Sequence, residues 1–173
     1  LKKLHTREIV MLLQEQGWPV IFSRIEIGQT HVTSPVDILA YSAGSGNWNT
    51  EQILVNGRDR SPSLKTSNSG HRRGYNLVVI EPNIGNVVAS KNFDIRGSKD
   101  ASNMLAQFIS DIPDSMIVVA TVRGEAGRFL SARASRSLVK IGATRSAGIN
   151  WSHAIIGFKG AAAGDAIEAI SSE

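Results

Sequence analysis

Gly74-Tyr75-Asn76-Leu77-Val78-Val79-Ile80-Glu81-Pro82-Asn83-Ile84-Gly85-Asn86-Val87-Val88 is the stretch that decides the fold. Two apolar runs meet across a Pro-Asn-x-Gly turn, the pattern of a β-hairpin whose second arm runs on through Ala89 towards Phe93. Ser98 then stands where a helix would be capped, with Asp100 in a first turn that favours negative charge. Ala101, Met104, Leu105, Phe108 and Ile109 recur at helical spacing, so an amphipathic helix follows, and Ile112-Pro113-Asp114 stops it. Residues 115–122 form a short apolar run that fits a strand buried on both faces.

A second helix pattern spans residues 128–141, with Leu130, Ala134, Leu138 and Ile141 inward and Gly142 at its end. Arg133, Arg136 and Lys140 share a stripe on its outer side; a solvated face explains them, and a polyanion site is the alternative. Residues 154–159 predict a last strand. Residues 161–173 read as a small-residue tail that frays or forms a short helix from Gly164.

Upstream of the hairpin, residues 1–18 predict an N-terminal helix ending near Gly17, either packed on its own domain or connecting to a neighbouring chain. Three strand patterns follow in residues 20–27, 36–41 and 53–57, and Asn56-Gly57 is a strong turn signal because both residues tolerate positive φ. Residues 58–73, marked by their Ser, Pro, Gly and basic content, predict a long surface loop of the kind that carries binding elements. The domain is accordingly expected to span residues 19–160.

At 173 residues and 42% hydrophobic content the chain can bury one sizeable core. It has no cysteine, which excludes disulfides, thiolate metal sites and a cysteine nucleophile. A net charge of +4 is modest and both signs are present, so an ordinary solvated surface accounts for it better than a nucleic-acid interface. No run reaches the roughly 18 apolar residues of a membrane span, and no membrane insertion is expected. The four histidines, His5, His31, His71 and His153, sit in separate segments without ligand spacing, so neither metal nor cofactor is expected. Nucleophile-elbow, P-loop and dinucleotide motifs are missing too, and an enzyme is not the expectation.

From Leu54-Val55-Asn56-Gly57 onward, the chain carries a series of short motifs in order. They are Arg73-Gly74, the apolar run Leu77 to Ile80, Pro82-Asn83-Ile84-Gly85, Phe93-Asp94 and Gly97-Ser98. Further on come Ile117 to Val122, Arg123-Gly124-Glu125, Leu138 to Gly142, Ile149-Asn150-Trp151 and Ile156-Gly157-Phe158-Lys159-Gly160. Together they resemble the interleukin-like EMT inducer domain, also called the PANDER-like or GG domain. The resemblance implies an α+β fold: a compact ββα domain of two twisted antiparallel sheets flanked by helices, without an active site. It also implies a secreted signalling protein or an accessory module on a larger extracellular or Golgi protein.

In the stem of a protein O-mannose N-acetylglucosaminyltransferase, such a module binds a sugar through an Arg near the Arg-Gly motif, an acid in the charged turn and an Arg after the Gly-Trp position. Here the first corresponds to Arg73. Gly124 stands at the acid's position with Glu125 one step away, and Ser152 replaces the second Arg. Animal members usually carry cysteines, so their absence suggests a bacterial or bacteriophage version.

These observations lead to an expected binding or structural module, non-enzymatic, in a virion such as a phage tail or fibre, or in another extracellular assembly. The alternative is a free secreted signalling ligand. The module would present residues 58–73 and the Trp151 edge to other copies or chains, or to a cell-surface glycan. Arg73, Glu125, Trp151 and His153 would line the site, a cation and an acid for hydroxyl groups and an aromatic face for a sugar ring. A plain core role is the competing reading of Trp151.

Overall fold

The computed structural model describes residues 20–23, 26–45, 49–63 and 72–172, with side chains from residue 26 onward. The predicted N-terminal helix, His5 and His71 lie outside the described residues. Among the described residues there are nine strands and two helices. In chain order they are β1 (Val20–Ser23), β2 (Ile38–Gly44), β3 (Glu51–Val55), β4 (Arg58–Asp59), β5 (Gly74–Ile80), β6 (Val87–Phe93), α1 (Lys99–Asp111), β7 (Ile117–Gly124), α2 (Ala132–Val139), β8 (Ser152–Phe158) and β9 (Ile167–Ser171).

The central hairpin forms as its pattern requires. β5 pairs antiparallel with β6, with a register shift at Val79 and Ile80, and Gly85 takes a φ of 77° in the connecting turn. On its other side β5 pairs antiparallel with β7, which pairs with β8, which pairs with β9. Strands β1 to β4 form an antiparallel meander of their own. The Asn56-Gly57 turn between β3 and β4 has positive φ at both residues, 49° and 71°, as a tight hairpin demands.

The two groups of strands are one connected sheet, mixed rather than purely antiparallel. At its end β2 leaves β3 and runs parallel to β7, Ala43 beside Arg123 and Gly44 beside Gly124. Gly44 is needed at this corner, since a Cβ there would lie 2.4 Å from the Asn150 carbonyl oxygen.

Strand alternation builds a core on each side of β5, β7 and β8. Leu77, Val79, Val118, Ala120, Val122 and Ile155 face the helices and meet Leu105, Ile109, Leu138 and Ile141. Val78, Ile80, Ile117, Val119, Ala154 and Ile156 face the meander and meet Ile38, Ala40, Ile53 and Val55. Each Val, Leu or Ile among them, wholly buried, contributes about 1.5–3 kcal/mol.

Helix α1 is capped by Ser98, whose side chain accepts from the Asp100 amide, and it buries Leu105, Ala106 and Ile109. Helix α2 is shorter than the apolar pattern suggests. It starts only where Ser131 caps it by accepting from the Ala134 amide, and the Ser131 amide itself donates to the Ser102 hydroxyl of α1. The predicted tail is corrected at one point. From Ile167 the chain is a strand and not a helix, because Ile167 and Ala169 pack on the meander-side core while the backbone pairs with β8.

Candidate functional site

Four chain segments converge at the end of the central sheet where β5 and β8 begin and β6 and β7 finish. Arg73 directly precedes β5, and its Nε and Nη2 donate to Asp94 Oδ1 and Oδ2 at 2.9 and 2.8 Å. Asp94 directly follows β6 and also accepts from the Gly97 amide at 3.1 Å. This fork geometry is the strong form of ion pair. The hydrogen bonds that Arg73 donates to Asp94 raise the Arg73 pKa further, with Glu125 adding to the field.

Glu125 follows β7. Its side chain is almost wholly buried, Oε1 accepts from the Arg128 amide at 2.5 Å, and Oε2 lies 3.7 Å from Arg96 Nε. Arg73 and Glu125 thus share one corner, but each is held by internal partners. Gly124 lies between them with a φ of 67°, and a Cβ there would come 2.8 Å from Asn49 Oδ1 and 3.4 Å from Arg73 Cγ.

Trp151 stands at the same end, just before β8. It is half-buried, packs against the helix-side core, and carries the Arg145 guanidinium 5.1 Å from its ring centroid. Gly148 presses on the indole so closely that a Cβ would lie 2.9 Å from Cε2. An aromatic face open to a sugar ring is therefore not what the geometry offers.

His153 belongs elsewhere. It has no exposed surface. Its Nδ1 is 2.8 Å from the Tyr75 hydroxyl and its Nε2 is 2.6 Å from Glu168 Oε1. The Tyr75 oxygen already accepts from the Ala147 amide at 2.9 Å, so its proton points to Nδ1 and Nε2 carries the imidazole proton towards Glu168. Glu168 Oε2 accepts from the Thr144 amide and hydroxyl. Burial works to raise Glu168, but the bonds from His153 and Thr144 outweigh it and hold the carboxyl at about 2. Burial pushes the Tyr75 hydroxyl far up. The arrangement has the order of a proton relay, and it ties β9 to β8 and to the 144–147 loop.

Sequence reasoning did not find a second polar group. The inward rows of β2, β3, β5, β7 and β8 are apolar until one end, where they finish in Ser42, Glu51, Asn76, Thr121 and Ser152, all buried. Ser152 Oγ accepts from the Gly44 amide, Thr121 Oγ1 donates to Glu51 Oε2, and Asn76 Nδ2 donates to the Arg72 carbonyl. Glu51 Oε1 lies 3.1 Å from Arg72 Nε, an ion pair without hydrogen-bond alignment. Burial raises the Glu51 pKa against the opposing pull of Arg72 and Thr121. Counting residues of one parity along each strand is the signal that would have found this row.

A groove of about 740 Å³ lined by Glu26, His31, Phe158 and Asp165, among others, contains none of the four predicted residues. A smaller one of about 360 Å³ takes Arg58 and Arg60 from the predicted loop, with Ile84 and Val87. Among the described residues no three side chains are grouped to hold a metal ion.

These strand ends and the two helices fall within residues 73–161, which match the sequence model of the family described as "Interleukin-like EMT inducer". The match covers more than half of the chain, and the chain belongs to this family. An 84-residue stretch is 33% identical to the human "Cell migration-inducing and hyaluronan-binding protein" and equally to the mouse protein of the same name. That stretch is 49% of this chain and 6% of either relative, so the chain spans a small part of these much longer proteins. Both are animal proteins, and they lend no support to the bacterial or bacteriophage origin suggested by the missing cysteines. Among the described residues no helix is long and apolar enough to cross a membrane.

Proposed function

We propose that this chain is a non-enzymatic recognition module that works outside the cell as a signalling ligand of the migration-inducing kind. The observation that carries this is the stretch 33% identical to a cell migration-inducing protein, within a family described as an inducer. The site geometry supports it. The ionisable side chains at the strand-end corner, Arg73, Asp94, Glu125 and Arg96, are paired with one another or with backbone, as suits a rigid surface that displays shape. We read the layering of meander, central sheet and helices as the ββα architecture of a free-standing module.

The relatives favour the signalling-ligand reading over a virion part. A sugar site at Arg73, Glu125 and Trp151 would have to form around the Arg73–Asp94 fork and the Arg145 guanidinium over the indole, and we read those residues chiefly as holding the corner in shape.

The test is a migration assay on cultured epithelial cells given the purified, monodisperse chain. A dose-dependent rise in migration, lost on heat denaturation, is the expected result. An unchanged rate at every dose of folded protein would overturn the reading.

A further inference from the structure

The smaller groove, of about 360 Å³, runs between β4 and the turn that opens β6, and each wall is a sheet edge. Among the described residues β4 pairs only with β3 and β6 only with β5, so the outward backbone groups of both lack a strand partner. Ser90 Oγ of β6 donates to the Arg60 carbonyl at 3.0 Å and holds the two edges close at one point. Strand alternation sets the charge of the groove. Arg58 stands opposite Val55 and the Arg60 amide donates to the Ile53 carbonyl, so both arginines share the meander face that carries Ile53 and Val55. Asp59 between them faces the other way, where it accepts from Gln52 and the Ser61 amide and lies 3.9 Å from Arg72. Among the described residues neither the Arg58 nor the Arg60 guanidinium has a carboxylate within ion-pair distance, and no acidic residue or aromatic ring lines the groove.

We propose that this groove binds an acidic polypeptide segment in extended form, laid along the open strand edge. Arg58 and Arg60 stand two residues apart on extended backbone, about 6.6 Å along the strand, and acidic side chains at alternate positions of an extended peptide repeat at the same distance. Each guanidinium can then take one carboxylate through paired hydrogen bonds, while the peptide backbone bonds to the open edge. Ile84 at the rim, 62% exposed, is apolar surface that such a segment would cover. A sugar ring or a nucleobase would use an aromatic platform, and this groove has none. The groove shares no residue with the Arg73 corner, so its occupancy is independent of whether the chain acts as a signalling ligand.

The test is fluorescence anisotropy of the full chain with a short labelled peptide in which glutamate and threonine alternate, against a peptide of the same composition with its glutamates contiguous. The alternating peptide is expected to bind about tenfold tighter than the contiguous one, and Arg58→Gln/Arg60→Gln to weaken it about tenfold. Arg136→Gln/Lys140→Gln, which removes the same charge from α2, should stay within about twofold. Arg58→Glu/Arg60→Glu should reject the glutamate peptide and take up one with lysine at the alternate positions, a gain that a merely unfolded variant would not show. Amides of β6 should exchange more slowly with deuterated solvent in the bound chain. Equal binding of the two glutamate peptides, equal loss from both pairs of substitutions to Gln, unchanged exchange in β6, or no binding by the folded chain would overturn the proposal. So would inorganic phosphate displacing the label as effectively as unlabelled peptide does, which would reduce the groove to an anion site.

Discussion

A tyrosine hydroxyl with no access to water must find its partners inside the protein, and Tyr75 finds two, the Ala147 amide and His153. Tyr75→Phe leaves both without a partner in a dry core and should cost about 1–3 kcal/mol in urea unfolding. Glu168, further along the same chain of bonds, gives a pH signature. Its carboxyl is held at about 2 when folded against an ordinary 4.5, so the stabilisation is complete above the ordinary value and is lost as pH falls through about 2. After allowance for its partial exposure this amounts to about 1–2 kcal/mol, and Glu168→Gln should remove that acid limb from a pH–stability profile.

Glu51 has the opposite sign. Its folded pKa is raised, so burial of its charge costs stability above that raised value and the cost fades as pH drops into the ordinary carboxylate range. Glu51→Gln keeps an oxygen for Arg72 and an amide for Thr121. It should leave stability at pH 7 equal or higher, with the gain shrinking towards pH 4; a loss above about 1 kcal/mol would mean that the ion pair with Arg72 is net stabilising. Little of this was legible from residue types alone. His153 reads as lining a binding site until the pairing of β7 with β8 turns it towards the helix-side core, and Glu168 sits in a stretch with no strand signal.

Elements were read more securely where the local pattern and the tertiary demand agree. The unbroken apolar run of β7 predicts burial on two faces, and the strand does supply both cores. The Ser98 cap and the i, i+3, i+4 pattern after it give α1. Strand β9 escaped notice because its five residues, all half-buried, take their strand form from pairing with β8. That neighbourhood tolerates no extra atom. A Cβ on Gly157 of β8 would lie 1.9 Å from the Ile141 carbonyl oxygen, which accepts the Phe158 amide. Gly157→Ala should therefore destabilise by about 2 kcal/mol or more, seen as a fall in Tm of roughly 5 °C or more.

At the scale of the whole molecule, the meander and the central sheet meet at one glycine corner, where Gly44 of β2 runs beside Gly124 of β7. That parallel join was not legible, since it depends on a contact between strands 80 residues apart and on two small residues whose spacing carries no periodic signal. The order of short motifs, by contrast, already pointed to the family that residues 73–161 match. Strand-end charges that are paired internally accord with the proposed action through the displayed surface. The most direct measurement is binding of the labelled, monodisperse chain to cultured cells, titrated to saturation with unlabelled chain as competitor. The account predicts a saturable, competable isotherm at a concentration that also changes migration. Binding that is non-saturable, or absent for the folded chain, would contradict it.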